Sequence, residues 1–82
     1  MKTMYIPKGV CSSRIDLVIE NGIINDVVFQ NGCNGNLSGI ASLVRGMRAN
    51  EAVARLKGIT CGPKRTSCPD QLAMAIEQAM NK

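Results

Sequence analysis

At 82 residues the chain has room for one domain with a thin core, so residues 1–82 are read as a single unit and a staple is sought among its four cysteines. Ten Lys and Arg against six Asp and Glu give a formal charge of +4, but one Tyr, one Phe and no Trp are too few stacking platforms for a single-strand nucleic-acid binder. The absence of His excludes Ser/His/Asp and Cys/His catalytic sets, and no apolar run approaches the ~18 to 20 residues of a bilayer span.

In chain order, Thr3 to Ile6 forms a short edge strand stopped by Pro7 and Gly9. Cys11 follows. From Ser12 to Glu20 the pattern alternates, with Ile15, Leu17 and Ile19 on one face and Arg14, Asp16 and Glu20 on the other, as in a half-buried strand. Asn21-Gly22 supplies two residues that tolerate positive φ, the signature of a type I′ hairpin turn. The return strand runs from Ile23 to Gln30, with Val27 and Phe29 on the apolar face.

Asn31-Gly32-Cys33-Asn34-Gly35-Asn36 then leads into a helix, marked by Leu37, Ile40, Ala41, Val44 and Met47 at helical spacing. Glycines at Gly32 and Gly35 permit close approach of a ligand, and free amides at a helix start favour an anion or a thiolate. A second helix is predicted with Asn50 as N-cap, burying Val53 and Leu56 and ending at Gly58. The Gly/Pro-punctuated loop from Cys61 carries Lys64 and Arg65, and Pro69 takes the first position of a last helix, which buries Leu72, Ile76, Ala79 and Met80. The fold class is therefore α+β: a small antiparallel sheet, made of the hairpin Ser12–Gln30 and an N-terminal edge strand, with about three helices on one face.

Residues 1–30 hold no basic segment followed by an apolar stretch, which predicts a cytoplasmic protein, and in that compartment clustered cysteines bind metal or do redox chemistry more often than they form structural disulfides. Cys11, Cys33, Cys61 and Cys68 are separated by 22, 28 and 7 residues, without a Cys-x-x-Cys pair. Their positions carry more information than their spacing. Cys11 precedes a strand, Cys33 follows the hairpin and Cys68 opens a helix, so the three can meet at one end of the layers. Helix N-termini and the nearby Lys64 and Arg65 favour thiolates. Without His, a metal site must be thiolate-rich, which selects Zn²⁺ or an iron-sulfur cluster. The alternative is a thiol redox or sulfur-carrier protein in which Cys61 and Cys68, on one loop, exchange. The carboxylates Asp16, Glu20, Asp26, Glu51, Asp70 and Glu77 show no spacing that pairs them for acid/base work, so no catalytic residue is assigned.

Thr66-Ser67-Cys68-Pro69-Asp70 spells the signature of the TSCPD domain, which the whole chain resembles in length and in its four cysteines. That family comprises small four-cysteine proteins and C-terminal domains of some ribonucleotide reductases, especially the cobalamin-dependent type. The resemblance implies an accessory related to ribonucleotide reductase. It does not imply an independent reductase, since 82 residues cannot hold a radical-harbouring barrel and a nucleotide site.

The order of elements also resembles the IscU and NifU N-terminal iron-sulfur cluster scaffolds. Cys11, Gly32-Cys33, Gly46-Met47, Glu51-Ala52 and Cys68 followed by Leu72-Ala73 fall in the order those scaffolds use. By that resemblance Cys11, Cys33 and Cys68 are ligands. Ser13 stands where the scaffolds carry an Asp and Ser67 where they carry a His, while Cys61 is an additional thiol able to supply a fourth ligand. The expectation is a Cys11, Cys33, Cys61 and Cys68 site for Zn or an iron-sulfur cluster, with Gly32, Gly35, Lys64 and Arg65 in support. Its expected partner is a protein, either ribonucleotide reductase or the iron-sulfur and sulfur-transfer machinery. Neither nucleic acid nor membrane is expected, and the one-sided sheet suits a homodimer.

Overall fold

The computed structural model describes residues 1–10, 12–31, 34–60 and 62–81. In chain order the elements are β1 (Lys2–Tyr5), β2 (Arg14–Glu20), β3 (Ile23–Gln30), α1 (Asn34–Val44), α2 (Ala49–Leu56) and α3 (Cys68–Met80). Among the described residues the strands form one antiparallel meander in the order β1-β2-β3. The class is the α+β layer design expected from the sequence.

The hairpin turns on Asn21 and Gly22, whose φ values of 54° and 76° are those a type I′ turn requires. Leu17 pairs with Val27 and Val18 with Asp26, but Ile19 pairs with Ile24, so β3 accommodates one extra residue. That bulge resets the alternation. Ile24 and Val27, three apart, both point inward, and Ile24 is a core residue that strict alternation from Val27 and Phe29 does not reveal.

Ile15, Leu17, Ile24, Val27, Leu72 and Ile76 are the largest fully buried side chains. Each contributes roughly 1.5–3 kcal/mol relative to exposure. α3 packs over β1 and β2, α1 over β3, and α2 against α3. The other sheet face carries the Arg14–Asp16 ion pair at 2.8 Å between exposed Met4 and Val28.

Several boundaries differ from the sequence reading, each for a local reason. β1 has the expected length but lies one residue earlier, at Lys2–Tyr5, and β2 starts two residues later, at Arg14–Glu20. α1 ends at Val44, so Met47 is not helical: Gly46, at φ 89°, turns the chain, and Gly46 N–H donates to Ile24 O at 2.7 Å. Ile24 N–H then donates to Met47 O at 2.9 Å and Ala49 N–H to Gly22 O at 2.8 Å, fastening the segment along the start of β3. This pairing holds Arg48 extended, which makes Arg48 the N-cap of α2 and leaves Asn50 inside the helix. The face of α2 that is fully buried is Ala49 and Ala52, with Val53 and Leu56 only half-buried. In α3, Cys68 is the first helical residue and Pro69 the second, and Met80 is exposed while Leu72, Ala73, Ala75, Ile76 and Ala79 are buried.

The layers have two distinct ends. The Asn21-Gly22 turn and the segment from Gly46 to Ala49 lie at one. At the other, Tyr5 pairs with Ile15 at the start of β2, Arg14 pairs with Gln30 at the end of β3, and α3 begins.

Candidate functional site

The Thr66 to Asp70 pentapeptide builds the start of α3 by a division of labour. Ser67, with extended φ and ψ of −149° and 171°, is the N-cap, and its Oγ accepts from Asp70 N–H at 3.2 Å. The same hydroxyl donates to Ile59 O at 2.7 Å, holding the loop that leaves α2. Asp70 reaches back twice, accepting from Gly58 N–H at 2.8 Å through Oδ1 and from the Thr66 hydroxyl through Oδ2. Thr66, followed by the Gly58 amide and the positive charge of Lys57, holds the Asp70 carboxyl below its ordinary range, against the opposing effect of burial.

Gln71 is buried at 5% exposure and joins this turn to the segment after β1. Its Oε1 accepts from Lys8 N–H at 3.1 Å and from the Tyr5 hydroxyl at 3.3 Å, and its Nε2 donates to Thr66 Oγ1 at 2.9 Å. The backbone donor at Lys8 fixes which end of the amide is the oxygen. Gly9, at φ 74°, continues along the same contact: a Cβ there would lie 3.5 Å from Thr66 Cγ2.

Cys68 is half-buried, and its Sγ lies 3.4 Å from the Oγ of Ser12, itself only 3% exposed. One residue on, Ser13 N–H donates to Gln30 O at 2.8 Å and Asn31 Nδ2 donates to Ser13 Oγ at 2.7 Å. Asn31 adopts φ 64°, turning the chain out of β3 at this end.

Of the residues the sequence singled out, Cys68 occupies the turn just described, and Lys64 and Arg65 are exposed on the preceding loop. Gly35 lies exposed in the first turn of α1 with open space beside its Cα. Cys11, Gly32, Cys33 and Cys61 lie outside the described residues. Among the described residues no three Cys, Asp or Glu side chains gather as metal ligands, and no helix is long and apolar enough to cross a membrane.

A family model for the TSCPD domain matches residues 1–80, nearly the entire chain. The chain belongs to the TSCPD domain family. No curated protein and no solved structure matches it. In this TSCPD domain the signature residues Thr66, Ser67 and Asp70 are structural: each polar side chain is engaged within the turn or with the end of α2. Sequence reasoning missed Ser12, Gln71 and the capping roles of Ser67 and Asp70. The Ser-x-x-acid spacing of Ser67 and Asp70 resembles the capping-box pattern and was legible. Nothing local in the sequence marks Ser12 or Gln71, whose partners lie 56 and 63 residues away.

Proposed function

We propose that this TSCPD domain is a small metal-binding module in which Cys11, Cys33, Cys61 and Cys68 hold Zn²⁺ or an iron-sulfur cluster. The observation that carries the reading is a set of contacts between the described neighbours of all four cysteines. Ser12 meets Cys68 at 3.4 Å, Ser13 meets Asn31 at 2.7 Å, and Ile59 meets Ser67 at 2.7 Å. Each contact joins the flanks of two cysteines, and together they form one chain of contacts at one end of the sheet. Thiolates are the donors such a set offers, and they suit zinc and iron-sulfur chemistry rather than Mg²⁺ or Ca²⁺.

The order of the cysteines, similar to that of the IscU and NifU scaffolds, supports cluster binding; Cys61 supports a four-thiolate site. A bound metal would supply the staple that so small a core calls for. The family's relation to ribonucleotide reductases supports a cytoplasmic accessory role beside such an enzyme, with no reductase activity of its own. A partner in the iron-sulfur or sulfur-transfer machinery fits the same site.

The test is elemental and sulfide analysis with an absorption spectrum, on protein purified without oxygen, beside the Cys33→Ser and Cys68→Ser variants. Stoichiometric zinc, or iron with acid-labile sulfide, lost from both variants, is the expected result. Metal-free, folded protein whose Cys61 and Cys68 interconvert reversibly between thiols and a disulfide would overturn it in favour of the thiol-exchange alternative.

A further inference from the structure

We propose that Lys8, Lys64 and Arg65 form a basic rim beside Cys68 that docks a carboxylate-rich segment of a protein partner. The argument begins with where the negative charge goes. The chain has six acidic side chains, and every one is engaged. Asp16 pairs with Arg14, Glu20 with the N-terminal ammonium, Asp26 with Arg45, Glu51 with Arg55 and Glu77 with Lys57, all within 3.3 Å. Asp70 is buried against Gly58 and Thr66.

Among the described residues this leaves Lys2, Lys8, Arg48, Lys64 and Arg65 without an ion-pair partner. Three of the five belong to the two segments that Gln71 draws together. Its Oε1 holds Lys8 N–H at 3.1 Å and its Nε2 holds Thr66, the residue after Arg65, at 2.9 Å. All three cationic side chains are exposed. Among the described residues, three of the five cations without an ion-pair partner therefore lie at the end where the Cys68 sulfur lies.

The chemistry of the rim selects its partner. Exposed Lys and Arg without a buried polar donor beside them do not build a pocket for a small anion. Nucleic acid would need stacking surfaces, but the Tyr5 hydroxyl is engaged by Gln71 and Phe29 packs against the core. An extended row of carboxylates on a protein matches three exposed cations with no further requirement, and such pairing acts chiefly on encounter rate and orientation. The inference goes beyond the metal reading and does not depend on it, since the rim is held by Gln71 and Thr66.

The experiment measures fluorescence anisotropy of a short labelled oligoglutamate peptide with the full chain at low salt, with metal content determined on the same preparation so that the two readings fail separately. Lys64→Glu and Arg65→Glu are compared with Arg48→Glu, which makes the same change in net charge but sits beside Ile23, at the other end of the sheet. Each rim variant is expected to weaken binding about fivefold to tenfold and Arg48→Glu less than about twofold, with the peptide released as salt approaches about 150 mM. Equal weakening by Arg48→Glu, absence of peptide binding, displacement by millimolar inorganic phosphate, or tighter binding of oligothymidine than of the peptide would each overturn the proposal.

Discussion

Replacing Asp70 by Asn keeps the shape of the side chain and removes its charge, which tests whether the pentapeptide is fastened to the end of α2 through a carboxylate. Asp70 is 5% exposed and accepts from Gly58 N–H and from the Thr66 hydroxyl. In the Asn variant the amide oxygen keeps one donor. Its nitrogen then faces Thr66 Oγ1, which already receives Gln71 Nε2 at 2.9 Å, so the Thr66 hydroxyl proton loses its acceptor. A hydrogen bond to a charged group is worth about 1.5–3 kcal/mol, and loss of an acidic group from the first turn costs a further 0.3–1 kcal/mol or so. The expected loss is about 2–4 kcal/mol. For a domain of this size that lowers Tm by roughly 10–30 °C.

Urea denaturation of Asp70→Asn and the parent, followed by far-ultraviolet circular dichroism across pH, measures the difference. The folded pKa of Asp70 lies below its unfolded value of about 3.9, so its contribution is complete above about pH 4 and is lost as the pH falls through the lowered folded value. The gap between the two proteins should therefore be flat from neutral pH to about pH 4 and close below it. A gap under about 0.5 kcal/mol at neutral pH, or one that persists undiminished in strong acid, would refute the role assigned to the carboxylate.

Ser12→Ala should leave the fold intact and weaken metal retention at the proposed site about tenfold to a hundredfold in a chelator competition, because it removes the hydroxyl 3.4 Å from the Cys68 sulfur. Gln71→Ala strips acceptors from Lys8 N–H and Tyr5 and should cost about 2–3 kcal/mol by thermal denaturation, with a visible loss of hydrogen-exchange protection at Lys8. Removing metal from the proposed four-cysteine site with a chelator should abolish the cooperative unfolding transition, because structural zinc contributes about 10–16 kcal/mol, as much as the entire stability of about 4–12 kcal/mol available to 82 residues. An unchanged calorimetric transition after chelation would show that the core needs no staple.

The parts of the fold legible in the sequence are those governed by neighbours in the chain. Ile15, Leu17 and Ile19 alternate, Asn21-Gly22 takes positive φ at both positions, and Leu37, Ala41 and Val44 recur at helical spacing; all three features appear in the structure. The features that were not legible depend on distant pairing. Met47 continues the apolar pattern of α1, yet its carbonyl binds Ile24 N–H across the sheet edge, and that contact overrides the local preference. The same pairing moves the N-cap of α2 from Asn50, the better capping residue, to Arg48. Ile24 was hidden by the bulge. At the site, the position of Cys68 at the opening of a helix could be read directly, whereas its contact with Ser12 could not, because nothing in a serine following a cysteine announces a partner on another element.

The signature pentapeptide combines two kinds of requirement, and the structure separates them. Thr66 accepts from Gln71 and donates to Asp70, Ser67 accepts from Asp70 and donates to Ile59, and Asp70 accepts from Gly58 as well as Thr66. Pro69 needs no donor at the second helical position, where an amide would lack an intrahelical partner in any case. All of these residues are accounted for by the need to start α3 at this point and to tie it to α2. Cys68 is different. Among the described residues its sulfur has one polar neighbour, Ser12, and nothing in the capping of the helix requires a thiol there. The residue of the signature that the capping does not use is therefore the cysteine, which stands at the start of α3 behind a loop carrying the exposed Lys64 and Arg65. The surrounding four residues specify where that sulfur sits, and this placement is what the proposed four-cysteine site draws on.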